Sequence, residues 1–161
     1  MDPSELERLR ENSGLFLDRD GQFFHEGSPV EHPKVIAAFR RGLARSPDGR
    51  PIVRFGRTWA YLDVEATLWR VVRVSFERDG AGRIAACLAS LDDGTEERIV
   101  PREGWLGMGT DEVLCLRIRG DTEWARCLPE PHADLGAELV PLAECWGIES
   151  TFGWLPVVAI D

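Results

Sequence analysis

The chain has 161 residues, 43% of them hydrophobic and 29% charged, an ordinary globular composition with enough apolar material for its own core. Its net charge of −9 argues against general nucleic-acid binding and against docking on anionic membranes, since both need a basic surface. Eighteen of the nineteen positive side chains are Arg and one, Lys34, is Lys, a bias that GC-rich coding explains more simply than selection for guanidinium chemistry.

The opening Met1-Asp2-Pro3-Ser4-Glu5 carries two acids and no apolar run, unlike a signal peptide. Ser4 to Glu11 reads as a short polar helix, with Ser4 and Glu7 at capping-box spacing. Leu15-Phe16-Leu17, a turn at Asp18-Arg19-Asp20-Gly21 and Gln22-Phe23-Phe24-His25 make a hairpin, because Asp tolerates and Gly prefers positive φ. The main helix is Pro33 to about Arg45. Proline suits a first helical position, and Val35, Ile36, Phe39 and Leu43 form one apolar stripe with Lys34, Arg41 and Arg45 opposite. Ser46-Pro47-Asp48-Gly49 stops it.

From Pro51 the period becomes two. Ile52 to Phe55 is a strand, and Thr58 to Val64 alternates, with Ala60, Leu62 and Val64 on one face and Trp59, Tyr61 and Asp63 on the other. Leu68 to Glu77 is a long strand with Leu68, Val72, Val74 and Phe76 in phase; Arg70 interrupts that face and is expected to snorkel at the sheet rim. Short Gly-containing turns lead into Arg83–Ser90 and Thr95–Val100, an antiparallel meander. Pro101 to Thr110 is glycine-rich and reads as a loop. Val113–Arg119 and Glu123–Leu128 pair as a hairpin, Pro129 to Leu139 is either a short helix or an extended connection, and Trp154 to Ile160 closes the chain as an edge strand marked by Pro156.

Few residues carry a chemical signal. His25-Glu26 with His32 is the one His/Glu grouping, but a zinc helix needs His-Glu-x-x-His, and Gly27 and Pro29 forbid a helix between them. Asp18-x-Asp20-Gly21 echoes a calcium loop, yet its glycine falls at position 4 rather than about 6, and Pro29 stands where about position 12 needs Glu. Asp63 and Glu65 are expected to share a strand face, as an acid/base pair or as partners for Arg57 and Arg70. Gly104, Gly107 and Gly109 lack the Lys-Ser/Thr of a phosphate loop. Cys87, Cys115, Cys127 and Cys145 have no Cys-x-x-Cys spacing and read as buried free thiols. Trp105, Trp146, Phe152 and Trp154 read as core or interface, an aromatic pocket being the sharper alternative. No metal and no cofactor is expected.

Charge is concentrated between Lys34 and Leu62. Lys34, Arg40, Arg41, Arg45, Arg50, Arg54 and Arg57 face one acid, Asp48, a net +6 that leaves −15 for the remainder. Arginine presents a planar fork to phosphate or carboxylate, and the start of the Pro33 helix adds unpaired N–H groups.

Asp20-Gly21-Gln22-Phe23-Phe24-His25-Glu26-Gly27-Ser28-Pro29-Val30, followed by an apolar helix, resembles the opening of a bacterial family known as domain of unknown function 1285. The similarity lies in the Asp-Gly turn, the aromatic/His-Glu-Gly-x-Pro-Val strand end, the helix and the glycine turn after it, and it covers roughly Leu15 to Phe76. Leu62-Asp63-Val64-Glu65 loosely matches a later stretch, whereas Arg54-Phe55-Gly56-Arg57 departs from the family's pattern. The resemblance implies an α+β fold, with two related subdomains as one form of it. It supplies neither an activity nor catalytic residues.

The expected architecture is thus α+β, a mostly antiparallel meander with one main helix packed on it. It forms a single domain over 1–161, or two subdomains, 1–66 and 67–161. The expected protein is cytoplasmic and works as a non-enzymatic binding module, engaging an acidic small molecule or protein partner through Arg40, Arg41, Arg45, Arg54 and Arg57, with His25 and Glu26 nearby. The alternatives are a small hydrolase or lyase using His25/Glu26 or Asp63/Glu65, which needs a cleft of about 300 Å³ or more, and a structural subunit of a homo-oligomer. Neither nucleic acid nor membrane is an expected partner.

Overall fold

The computed structural model describes residues 2–161; Met1, the first residue of the acidic opening segment, lies outside them. The chain divides into two compact units, one ending at Leu68 and the other running from Trp69 to Asp161. Each mixes helix and strand. The class is α+β, with sheets that are mostly antiparallel and partly parallel.

In the first unit α1 (Pro3–Glu11) precedes β1 (Leu15–Leu17), β2 (Phe23–His25) and β3 (Ser28–Pro29). Then come α2 (Pro33–Gly42), β4 (Leu43–Arg45), β5 (Pro51–Phe55), β6 (Thr58–Tyr61) and β7 (Asp63–Val64). One sheet has the order β3-β2-β1-β7 and the other β4-β5-β6. The cap of α1 is Asp2 rather than Ser4, because Pro3 takes the first helical position; the Ser4 hydroxyl bonds to the Asp2 carboxylate. The β1–β2 turn closes as expected, with Asp18 Oδ1 accepting from the N–H groups of Asp20 (3.0 Å) and Gln22 (2.8 Å).

The main helix is shorter than its apolar stripe. It stops at Gly42, and Leu43–Arg45 is a strand paired with β5. The cause is tertiary: Gly42 lies against β5 so closely that a Cβ there would overlap the Arg54 carbonyl oxygen and stand 3.1 Å from the Arg54 nitrogen. The alternation from Thr58 to Val64 also breaks. Buried Leu62 donates its N–H to the Pro51 carbonyl (3.0 Å), and β7 then leaves β5 and β6 to pair in parallel with β1. α2 packs on β5, with the Phe39 ring edge-on between Phe23 (5.3 Å) and Phe55 (4.9 Å).

The second unit opens with the expected antiparallel meander of β8 (Trp69–Arg78), β9 (Ile84–Leu91) and β10 (Glu96–Ile99). It continues through β11 (Leu106–Met108), β12 (Leu114–Ile118), β13 (Glu123–Cys127) and α3 (Pro129–Gly136) to β14 (Leu139–Leu142), β15 (Cys145–Ser150), β16 (Gly153–Pro156) and β17 (Val158–Ala159). These strands form one sheet in the order β14-β15-β9-β8-β13-β12-β11-β17, with β10 beside β9 and β16 beside β15. The β13–β8, β15–β9 and β11–β17 contacts are parallel. The helix that covers β8 is α3, whereas the main helix of the sequence packs on β5.

Three further expectations are corrected here. The glycine-rich stretch holds a strand, β11, because Gly107 lets the Trp124 ring lie within 2.8 Å of where a Cβ would be. The closing segment is two strands: β16 is an edge strand on β15, and β17 crosses to β11. Arg70 does not snorkel; it is 1% exposed. Its Nε lies 3.6 Å from Asp92 Oδ2, its backbone N–H donates to Asp92 Oδ1 (3.0 Å), and the Asp92 N–H donates to its carbonyl (3.0 Å). The pairing of β8 with β9 steps from Val71–Leu91 to Arg73–Ser90, so Val72 is an inserted bulge residue. That insertion moves burial to Val71 and Val74 and ends the phase that would have put Val72 in the core.

Cys87, Cys115 and Cys127 are buried free thiols, but Cys145 on β15 is exposed. Burial pushes the Cys87 thiol up to about 12 and Cys115 up to about 11, and Cys127 is raised for the same reason. Among the described residues no helix is long and apolar enough to cross a membrane.

Candidate functional site

The six arginines of the basic stretch do not act together. Arg40, in the last turn of α2, donates Nη2 to the Gly21 carbonyl (3.0 Å) and places its guanidinium 5.4 Å from the Phe23 ring centre. Arg45 on β4 donates to the Gly49 carbonyl across the turn (2.9 Å). Arg50 lies over the Tyr61 ring (3.5 Å) and pairs with Glu11 (3.2 Å). These side chains serve the local structure. The start of α2 is also occupied, since His32 caps it with Nδ1 accepting from the Lys34 N–H (3.2 Å).

Arg41 and Arg54 differ. The close approach at Gly42 brings the end of α2 onto β5, and with Ala38, Gly42, Phe55 and Gly56 the two arginines line a concavity of about 430 Å³. Both are exposed, and neither guanidinium has a hydrogen bond or ion pair among the described residues. No acid lines this space. Arg57 follows Gly56 in the β5–β6 turn, is likewise exposed, and has no partner among the described residues. By contrast, a 340 Å³ hollow on β8, β9 and β10 is lined by Arg73 and Arg98 but also by Glu96 and Glu97, with Arg98 held by Glu77 (2.7 Å). The Gly42 concavity is cationic, and the hollow on the meander is charge-balanced.

Beside the arginines, sharing Phe55 as a wall, lies a second and apolar depression of about 370 Å³. Leu15, Val30, Val35 and Phe39 line it, with Ser13 and His25 at the polar side. Of the acid/base sets, His25 lines this depression. Glu26 sits in the β2–β3 turn at φ +50 with its N–H on the Gly14 carbonyl (2.9 Å). Asp63 and Glu65 do not share a strand, since β7 ends at Val64. Glu65 is bound to Arg19, accepting from its Nε (2.9 Å) and backbone N–H (2.8 Å). Among the described residues no three His, Cys, Asp or Glu side chains are placed to hold a metal. The aromatic residues of the C-terminal half are spread as well. Trp105 is fully buried, Trp146 is 55% exposed, and the β15–β16 register puts Trp146 and Trp154 on opposite faces.

Sequence reasoning passed over Gly42, Ala38 and Phe55, the residues that give the concavity its floor. The one available signal was a glycine interrupting an apolar helical stripe directly after two arginines.

Most of the backbone path has crystallographic counterparts. A DUF1285 family protein from Silicibacter pomeroyi DSS-3 matches with a TM-score of 0.70 and 16% identity, over 93% of this chain and 82% of that one. This chain has the DUF1285 fold. A second DUF1285 family protein, from Shewanella baltica OS155, matches with a TM-score of 0.54 and 17% identity, over 78% of this chain and 91% of that one. No family model and no curated protein matches the sequence. The DUF1285 likeness reaches well beyond Leu15–Phe76, where the sequence resemblance was confined, and at these identities it describes the fold alone.

Proposed function

We propose that the chain is a binding module whose first unit accepts an anionic group, a carboxylate or phosphate, between Arg41 and Arg54. The observation that supports this is the pairing of two exposed guanidiniums over one 430 Å³ concavity that no acid lines. A guanidinium offers a fork of N–H donors to an oxyanion, and two flanking an apolar floor of Ala38 and Phe55 meet it with little competition from fixed carboxylates. Arg57 adds charge at the rim, while Arg40 and Arg45 contribute field rather than contact, since each bonds a backbone carbonyl.

A hydrolase or lyase at His25/Glu26 or Asp63/Glu65 needs a cleft that gathers the members of such a pair. His25 alone lines the apolar depression, so its geometry favours binding. The test is calorimetric titration with a glutamate decapeptide at low and high salt. Binding should weaken with salt, fall roughly tenfold or more in each of Arg41→Gln and Arg54→Gln, and be nearly unchanged in Arg45→Gln. Equal affinity in the Arg41→Gln/Arg54→Gln double variant would remove the site.

A further inference from the structure

Arginine covers tryptophan repeatedly in this chain. Arg10 lies over Trp59 with its Cζ 3.9 Å from the ring centre, Arg117 over Trp124 at 4.4 Å and Arg119 over Trp69 at 4.6 Å. Trp105 is fully buried. The other two, Trp146 and Trp154, have neither a guanidinium nor an aromatic ring against them among the described residues. The local charge accounts for this, since residues 127–161 hold six acids and neither Lys nor Arg.

Of the two, Trp154 belongs to a built surface. The registers of β14, β15 and β16 put Val140, Leu142, Gly147, Glu149 and Trp154 on one sheet face, because directly opposed residues, and residues two apart, point the same way. The opposite face is the core side, with Ile148 only 1% exposed. Gly147 makes room for the indole: a Cβ there would stand 2.5 Å from Trp154 Cε2 and 2.6 Å from Cζ2. The indole Nε1 donates to the Val140 carbonyl (3.3 Å), so the ring is oriented before any partner arrives. Glu149 is the direct cross-strand neighbour of Trp154, which sets their Cβ atoms about 4.5–5.5 Å apart. It is exposed, and its carboxylate has no hydrogen bond or ion pair among the described residues. Val140 and Leu142 add apolar surface to the same face, 39% and 57% exposed.

We infer that this face docks a partner protein through an arginine, whose guanidinium stacks on the Trp154 indole and pairs with Glu149 while an adjacent apolar side chain covers Val140 and Leu142. Charge complementarity names the occupant: an electron-rich ring beside an unpaired carboxylate, in a stretch without Lys or Arg, attracts a cation. A planar guanidinium lies on an indole and still offers N–H donors at its rim to a carboxylate, which a compact ammonium does less well. It is also the contact that Trp59, Trp69 and Trp124 make within the chain. An open sheet face encloses too little of a free small cation to hold it, whereas an arginine carried on a protein surface brings apolar neighbours that exclude water. The face lies in the second unit and is independent of Arg41 and Arg54.

The test is a library of capped nonapeptides with arginine fixed at the centre, screened against the full chain, followed by fluorescence anisotropy of the selected peptide. Selection of an apolar residue near the arginine is expected. Citrulline in place of that arginine keeps the shape, removes the charge and should weaken binding about tenfold, with lysine in between. Glu149→Gln and Trp154→Leu should each cost about tenfold. Bound peptide should also slow the reaction of Cys145, which is exposed and paired with Leu142 on the same face. Glu149 is exposed, so its variant reads the site even where Trp154→Leu loosens β16. Arg41→Gln/Arg54→Gln should leave the affinity unchanged. A library without a binder, a binder indifferent to citrulline, or equal affinity in Glu149→Gln would overturn the inference. So would two results that reassign the face: Trp154-dependent binding of cellohexaose with no peptide selected, which gives it to a neutral sugar, and a concentration-dependent dimer abolished by Trp154→Leu with no peptide selected, which gives it to a second copy. Each of these outcomes leaves the arginine site standing, because the glutamate decapeptide tests that site separately.

Discussion

Gly42→Ala is the sharpest test of the geometry beneath the arginine site. Elsewhere a glycine-to-alanine change in a helix is favourable by roughly 0.5–1 kcal/mol, through propensity and the smaller entropy of the unfolded chain. At Gly42 the new methyl would overlap the Arg54 carbonyl oxygen and crowd Arg54 N at 3.1 Å and Arg54 C at 3.2 Å. These are backbone atoms of β5, so no side-chain rotation relieves the contact. α2 and β5 must separate by on the order of 1 Å to restore ordinary van der Waals distances. That opening loosens the edge-on contacts of Phe39 with Phe23 and Phe55. The expected net effect is a destabilisation of about 1–3 kcal/mol, the usual range for overpacking, in spite of the propensity gain. Gly136 at the end of α3 is the internal control, because a Cβ there meets nothing within 4 Å. Gly136→Ala should be neutral or stabilising by up to about 1 kcal/mol. Urea unfolding followed by far-UV circular dichroism measures both. Opposite signs support the close approach; a Gly42→Ala variant as stable as the parent would refute it and the packing that places Arg41 beside Arg54.

Glu26 and Gly27 occupy a two-residue β2–β3 turn with φ of +50 and +81, the form that prefers Asn-Gly. Glu26→Asn should therefore raise stability by up to about 1 kcal/mol, seen as a higher midpoint in thermal melts, and a lowered midpoint would contradict the turn. Asp92→Ala removes a carboxylate 3.6 Å from the buried Arg70 guanidinium and should cost about 3–5 kcal/mol in urea unfolding, while Arg70→Met/Asp92→Leu recovers most of it; equal losses in both variants would contradict this. Native thiol titration with a chromogenic disulfide at pH 8 should register one fast group, Cys145, with Cys87, Cys115 and Cys127 reacting after unfolding, and two or more fast groups would contradict the buried, raised thiols. The Asp111 carboxyl is held below its ordinary 3.8 by its hydrogen bond to Arg126. Because the folded value is the lower one, the stability from this contact is present above about pH 4 and is lost as the pH falls through the folded value. Arg126→Gln should flatten that acid limb, and an unchanged limb would show that the contact is not formed in solution.

Sequence alone determined what depends on neighbours along the chain. The Asp18–Gly21 turn, the Pro33 start of α2, the β8–β9–β10 meander and the absence of a local metal motif all follow from residues a few positions apart, where propensity and period act directly. The +6 stretch was legible in the same way, as a count. What the sequence did not contain was which of those charges would remain unbound. Arg40, Arg41 and Arg45 look alike in a helical stripe, and only the carbonyls of Gly21 and Gly49, brought near by folding, occupy two of them. Gly42 halts the helix because β5 lies against it, Val72 shifts the phase because β9 cannot match it, and Arg70 is buried beside Asp92, which comes from the turn after β9. Each is a contact between residues distant in the chain. Its energy belongs to the pair rather than to either residue, so the tertiary structure alone decides it.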